Sequence, residues 1–290
     1  MRKFFYFLLT AVTVMLAACG DYNAPTNPNS DQGALKGEFT INSYGKKVRF
    51  SQGNLQYNPA ADKWKFAANQ WEYIGDENAN IAKDYDGWID LFGFGTGSYP
   101  VNCSNYWQDY TSFSDWGLNP ILNGGNQKYL WRTLKSDEWK YLIHERDQKL
   151  FGFGKVNGIP GLIILPDDWI LPEGLVFNPG TQKGLAWESS NNEYINSKKD
   201  NYSHNSYEGE EWTKMETAGA VFLPVTRLRS GSKLYPVTSL DEMSGWYWSF
   251  THWTASYSYS FEFNGWLLTP ASSDTFLHRG YAVRLVQTVK

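Results

Sequence analysis

Apolar and polar positions alternate through "KKVRFSQGNLQYN" and "DKWKFAANQWEYIG", on either side of the turn-forming "NPAAD". A period of two puts successive side chains on opposite faces of a strand. The stretch from Gly37 to Gly75 therefore predicts strands with Val48, Phe50, Leu55, Tyr57, Trp64, Phe66, Trp71 and Tyr73 pointing inward. The period changes clearly in "TLKSDEWKYLIHERD", where Trp139, Leu142 and Ile143 recur at helical spacing behind Ser136. Its first turn carries Asp137 and Glu138, which suit the positive end of a helix dipole. This helix is expected to lay its apolar face on a sheet.

Elsewhere the pattern is punctuated. Positions 76–125 are rich in turn residues, and the rings of Trp88, Phe92, Trp107 and Trp116 are expected to pack that loop down onto the fold. A β-rich run, Gly161 to Leu165, stops at Pro166, and the polar stretch from Gly180 to Glu211 reads as an insertion with helical pieces. "AGAVFLPVTRLRSG" returns to strand character, and "RGYAVRLVQTVK" predicts a terminal strand with Tyr281, Val283 and Leu285 on one face. Strands, one or two helices, then antiparallel strands is an α+β order.

The most aromatic stretch, "GWYWSFTHWTASYSYSFEFNGW" (Gly245 to Trp266), divides by the same rule. Tyr257, Tyr259, Phe261 and Phe263 alternate with Ser256, Ser258, Ser260, Glu262 and Asn264, which predicts a half-buried strand with the serines and Glu262 toward solvent. Trp246, Trp248 and Phe250 alternate with Tyr247, Ser249 and Thr251 in a preceding strand, while His252, Trp253 and Trp266 fall at turns.

The N-terminus departs from this pattern. Met1-Arg2-Lys3 precedes an apolar run from Phe4 to Ala18 and then Cys19, the layout of a secretion signal. "LAAC" at Leu16 to Cys19 resembles the lipobox of bacterial lipoproteins, which implies cleavage before Cys19 and a lipid on that residue. The tract that follows, "GDYNAPTNPNSDQGALKG", has too little apolar surface to fold and reads as a tether. The expected organisation is a signal peptide over 1–18, a flexible tether over 19–36 and a domain over 37–290, with 37–125 as its N-terminal elaboration. The localisation that follows is the cell envelope, as an outer-membrane lipoprotein exposed at the surface.

Charge narrows the partners. A net charge of -4 without a basic run lacks the footprint of a nucleic-acid binder. With Cys19 lipidated, Cys103 has no partner for a disulfide, and the domain is expected to hold together by packing. "LFGFG" occurs at Leu91 to Gly95 and again at Leu150 to Gly154, but neither copy completes a dinucleotide fingerprint or a Walker loop. "GDENANIAKDYDG" opens like a calcium loop, yet Ile81 stands where the glycine belongs and Gly87 where the bidentate glutamate belongs. Asp84, Asp86 and Asp90 read as turn-capping carboxylates, and the four histidines lack metal spacing. No cofactor or metal is expected. The acidic pairs Asp167-Asp168 and Glu210-Glu211 offer what a glycosidase needs only if two carboxylates face a sugar, which spacing alone does not arrange.

Three segments together resemble a known family. "YLWRTLKSDEWKYLI" resembles the helix segment of the formylglycine-generating-enzyme branch of the C-type-lectin-like fold. "AGAVFLPVTRLRSG", "SGWYWSF" and "RGYAVRLV" are similar to the closing half of the Fibrobacter succinogenes major paralogous domain of Bacteroidetes-type lipoproteins, and the segment from Val48 to Gly97 is similar to the N-terminal region these carry. The resemblance implies a fold in which N- and C-terminal strands pair and long loops are displayed on a compact base. It does not carry over the enzymes' chemistry, which depends on a cysteine pair, nor the calcium-site motifs of sugar-binding lectins, which are missing here.

The last stretch also resembles the variable region of proteins diversified by retroelements, in which a fixed frame encloses mutated positions. The frame here would be Gly245, Tyr247, Trp248, Ser249, Gly280, Val283, Arg284, Leu285 and Val286. Between them lie Phe250, His252, Trp253, Thr254, Ser256, Trp266, Leu267, Ser273, Asp274, Phe276 and His278, a mixture of rings, hydroxyls and small residues of the kind paratopes favour. The resemblance implies a non-catalytic ligand-binding lipoprotein whose binding residues are Trp246, Phe250, His252, Trp253, Trp266, Leu267, Asp274, Phe276 and His278, with a protein or glycan ligand at the cell surface. A structural or fimbria-associated envelope module and an enzyme acting on cell-surface polysaccharide are the alternatives.

Overall fold

The computed structural model describes residues 32–146, 150–180, 202–235, 243–264 and 268–289. Sixteen strands appear among them, and all but one of their pairings are antiparallel. The alternating N-terminal stretch gives β1 (Phe39–Thr40), β2 (Lys47–Phe50), β3 (Leu55–Asn58) and β4 (Lys63–Phe66). Val48, Phe50, Leu55, Tyr57, Trp64 and Phe66 are buried, as their period requires. Trp71 is only partly buried and Tyr73 is exposed. The reason is local: the Glu72 carboxylate accepts from the Ala68 and Asn69 amides and the Asn69 side chain, which closes a turn where alternation predicted a strand.

Next come β5 (Arg132–Thr133) and the helix α1 (Ser136–Lys140), prolonged by one wider π turn over Tyr141–Glu145. Glu138 fixes its start, accepting from the Lys135 amide at 2.8 Å and pairing in a fork with Arg132 at 2.6 and 2.8 Å. Trp139 stacks on Phe261 with ring centroids 4.4 Å apart and planes at 20°. The helix thus lies on the sheet of β12 (Ser244–His252), β13 (Tyr257–Asn264) and β14 (Leu268–Phe276), as its apolar spacing predicted.

A four-stranded sheet, ordered β8-β6-β7-β9, is built from β6 (Phe151–Val156), β7 (Ile159–Ile164), β8 (Ser206–Tyr207) and β9 (Val221–Pro224), with α2 (Gly209–Thr217) burying Trp212 and Met215 beside it. α2 starts at the end of the polar stretch expected to hold helical pieces; residues 181–201 of that stretch lie outside the described residues. β10 (Leu228–Ser230), β11 (Lys233–Tyr235) and β15 (Arg279–Gly280) form a small sheet. The terminal strand β16 (Leu285–Thr288) lies between β2 and β5, so Val286 faces Phe50 across the two ends of the chain.

That pairing binds the 37–125 segment to the C-terminal strands, and their cores are shared as well. Phe92, Trp116 and Trp131 pack with Trp248, Tyr281, Val283 and Leu285, whereas Tyr247, Ala282 and Val286 pack with Trp139, Phe261 and Phe263. Consecutive residues of one strand thereby serve two cores. Packing also begins inside the expected tether, because Leu35 is buried and donates its amide to the Phe50 carbonyl. Phe92 and Trp116 hold the long loop down as expected, and Gly93 leaves room for the Tyr110 ring, which a Cβ there would meet at 2.2 Å. No helix among the described residues is long and apolar enough to cross a membrane.

β13 departs from its predicted exposure. Ser258 and Ser260 are fully buried, although the alternation assigned them to solvent. The segment after β15 crosses that face: Tyr247 bridges to Ala282, the Trp248 amide donates to the Ala282 carbonyl, and the Tyr281 ring lies 4.7 Å from Trp248. A strand's period separates its faces but is silent about which layers cover them.

Candidate ligand-binding face

β12, β13 and β14 form a meander whose upper end carries the 253–256 turn, with the 277–278 turn beside it. The turns are held together, since Leu277 donates its amide to the Ser256 carbonyl and Phe94 donates to the Leu277 carbonyl. Trp253, 55% exposed, meets Tyr259 edge-on at 5.3 Å. Tyr257 and Phe276, opposite each other across β13 and β14, are 4.5 Å apart, and Phe276 continues to His278 at 5.3 Å. Phe250, 40% exposed, contacts Phe113 at 4.6 Å; Phe113 contacts Phe94 at 4.9 Å, and Phe94 stacks on His252 at 5.6 Å.

The structure therefore brings together Phe250, His252, Trp253, Phe276 and His278 at one end of the meander. Trp246 is elsewhere: it is half-buried, lies across from Glu262, and stacks on Tyr281 at 6.1 Å, so it is a wall of the fold and not a ring of the turns. Trp266 and Leu267 lie outside the described residues; the strand ends that flank them, Asn264 and Leu268, are at the opposite end of the meander. Eight residues of β13 separate those ends by roughly 25 Å.

Asp274 is exposed on β14, where it accepts from the Ser272 hydroxyl at 2.8 Å. Close by, Glu262 accepts from Ser260 at 2.6 Å and Thr275 at 3.0 Å. Burial raises the Glu262 pKa above the ordinary carboxylate range, against the opposing pull of these hydroxyls. Under the same cover Tyr281 is pushed well above its usual range, first by burial and then by the Glu262 charge. His278 is held below its usual value by burial and by neighbouring Arg279.

Sequence reasoning missed Tyr257 and Tyr259 as members of this surface, and the buried Phe94 and half-buried Phe113 as its supports. Alternation assigns the two tyrosines to the core, and the structure leaves them half-buried. Phe94 and Phe113 join through loop packing, for which the chain carries no local signal.

Burial separates the two sets of residues that the variable-region resemblance distinguishes. Gly245, Tyr247, Trp248, Ser249, Gly280, Val283, Arg284, Leu285 and Val286 are all buried. Phe250, His252, Trp253, Thr254 and Asp274 are exposed, and Ser256, Ser273, Phe276 and His278 are half-buried. The frame is fixed by close contact. A Cβ on Gly245 would meet the Phe263 ring at 2.2 Å, the Trp248 indole donates to the Phe92 carbonyl at 2.6 Å, and Arg284 reaches Gln70 at 2.8 Å.

Asp167, Glu211 and Asp90 are spent on structure. Asp167 accepts from Thr40 and pairs with Arg146 at 3.1 Å; burial works against its charge, but these partners hold its carboxyl below the usual range. Glu211 turns back to the Glu208 amide at the start of α2. Asp90 is buried apart from Asp84 and Asp86, accepting from the Ile74 amide and the Asn78 side chain at 2.8 Å each, and burial raises its pKa to about 7. Asp84 and Asp86 line an open cleft of about 520 Å³ together with Ile81, Tyr85 and Cys103. No group of three or more metal-ligating side chains occurs among the described residues. Compared with known protein families, curated proteins and solved structures, the chain matches none.

Proposed function

We propose that the protein is a non-catalytic ligand-binding envelope lipoprotein with a C-type-lectin-like domain, anchored through Cys19 and binding with the rings around the 253–256 and 277–278 turns. The observation that carries this reading is a division of burial: the side chains fixed in the variable-region resemblance are buried, whereas between them Phe250, His252, Trp253, Thr254 and Asp274 face solvent and Ser256, Ser273, Phe276 and His278 are half-buried. Such a surface can change its chemistry without disturbing the fold. Trp253 and Phe250 offer large contact area at low entropy cost, with Thr254, Ser256 and Ser273 as adaptable hydroxyls. The pairing of the two chain ends through β2 and β16 agrees with the fold that the resemblance implies.

The binding site is thus Phe250, His252, Trp253, Asp274, Phe276 and His278, with Phe94 and Phe113 as its supports. A glycan array and a panel of cell-surface proteins test it directly. A bound target whose affinity drops at least about tenfold in Trp253→Ala and Phe250→Ala, with thermal stability nearly kept, supports the reading. A target held equally by both variants removes this face from function. The retroelement idea is tested by the genome, which must hold a nearby reverse-transcriptase gene and a near-copy of the 246–281 coding segment differing at adenines.

A further inference from the structure

The segment between β7 and β8 presents a second apolar surface. Trp169, Leu175 and Phe177 pack against the core beside α2, while Ile170 is 81% and Val176 70% exposed, with Leu171 exposed between them. The loop is clamped at both roots. Asp167 donates its amide to the Glu38 carbonyl at 3.0 Å and binds Thr40 with its carboxylate, and the Asn178 amide donates to the Asn205 side chain at 2.8 Å. Within the loop, the Leu175 amide donates to the Pro172 carbonyl across a turn with Gly174 at φ +80°. A loop already ordered by its roots keeps its aliphatic residues outward at no further entropic cost when they meet an apolar phase.

The position of the chain's entry says which phase. The described chain begins at Gln32, six residues before Glu38, so entry and loop root lie within about 20 Å of each other. From Cys19 to Gln32 the chain can span at most about 45 Å. A lipid on Cys19 therefore keeps Gln32 within about 45 Å of the bilayer, which puts the loop root beside it within reach of the membrane. The exposed charges beside the aliphatic residues, Asp168 and Glu173, are acidic and suit a zwitterionic surface better than an anionic one.

We propose that Ile170, Leu171 and Val176 form a membrane-contact loop that seats in the boundary between headgroups and acyl chains of the bilayer holding the anchor. This rests on the lipoprotein reading. Seated there, the loop would restrict how the domain swings on its tether, giving a one-chain anchor a second contact.

The test uses the mature, lipid-anchored chain in phosphatidylcholine vesicles, with Cys103→Ser as background and an environment-sensitive fluorophore on Ile170→Cys. Tyr44→Cys, at a position 95% exposed, is the control. Acyl chains carrying bromine should quench the label at position 170 about twofold or more and leave the control nearly unchanged. Equal, water-like signals at both positions overturn the proposal. So does shielding at position 170 that follows protein density and resists the brominated lipid, which would assign the surface to a second copy. Fatty-acid labelling lost in Cys19→Ser reads the anchor separately. An unlabelled chain removes both readings, and a labelled chain with Ile170 in water removes only the loop.

Discussion

The lower and upper parts of the β12–β13–β14 meander have similar composition and opposite exposure. In the lower part Tyr247, Trp248, Phe261 and Phe263 are fully buried and tied to α1, to the 281–283 segment and to the N-terminal loop. In the upper part Phe250 packs on Phe113, Trp253 on Tyr259 and Tyr257 on Phe276, and each of these rings keeps part of its surface in water. Aromatic content alone therefore says little about function. What differs is how far other segments cover each ring: completely in the lower part, partly in the upper.

Substitutions should break the meander unequally. Trp248→Ala removes a fully buried indole and one of the two donors to the Phe92 carbonyl, which keeps the Tyr281 amide, and should cost about 3–5 kcal/mol in denaturant unfolding. A cost near that of an upper-end substitution would erase the distinction. Asp90, buried in the 76–125 loop, adds a pH signature of its own. Its folded-state pKa is raised from 3.8 to about 7, so the folded chain binds the extra proton and this contribution to stability falls as pH rises from about 4 through about 7. Unfolding midpoints of the parent and Asp90→Asn across that window check it: the difference between them should carry a slope of up to about 1.4 kcal/mol per pH unit.

Smaller effects are expected above. Phe250→Ala loses the Phe113 contact and part of its burial, for about 1 kcal/mol. Thr254→Ala, at an exposed turn position, should stay within about 0.5 kcal/mol by the same measurement. If Thr254→Ala instead unfolded the chain, the upper end would be structural and the proposed binding face would lose its basis.

Much of the fold was legible because burial imposes periods. Val48, Phe50, Trp64 and Phe66 follow the strand period, and Trp139, Leu142 and Ile143 the helical one, and each set is buried where it was expected. The site was legible in part. Phe250, His252, Trp253, Asp274, Phe276 and His278 fall at one end, whereas Trp246 became a wall because Tyr281 comes to lie against it. Ser258 and Ser260 were misread for the same reason: the covering layer comes from residues far along the chain.

Local chemistry therefore determined which residues alternate, where the helix starts and where the turns fall, since these depend on propensities and periods within a few residues. Only the tertiary structure decided which face of each strand is roofed, that β16 joins the two ends of the chain, and that Phe94 and Phe113 support Phe250 and His252. Contacts between distant segments depend on how whole layers stack, and a period within one strand carries no record of the layer that will cover it.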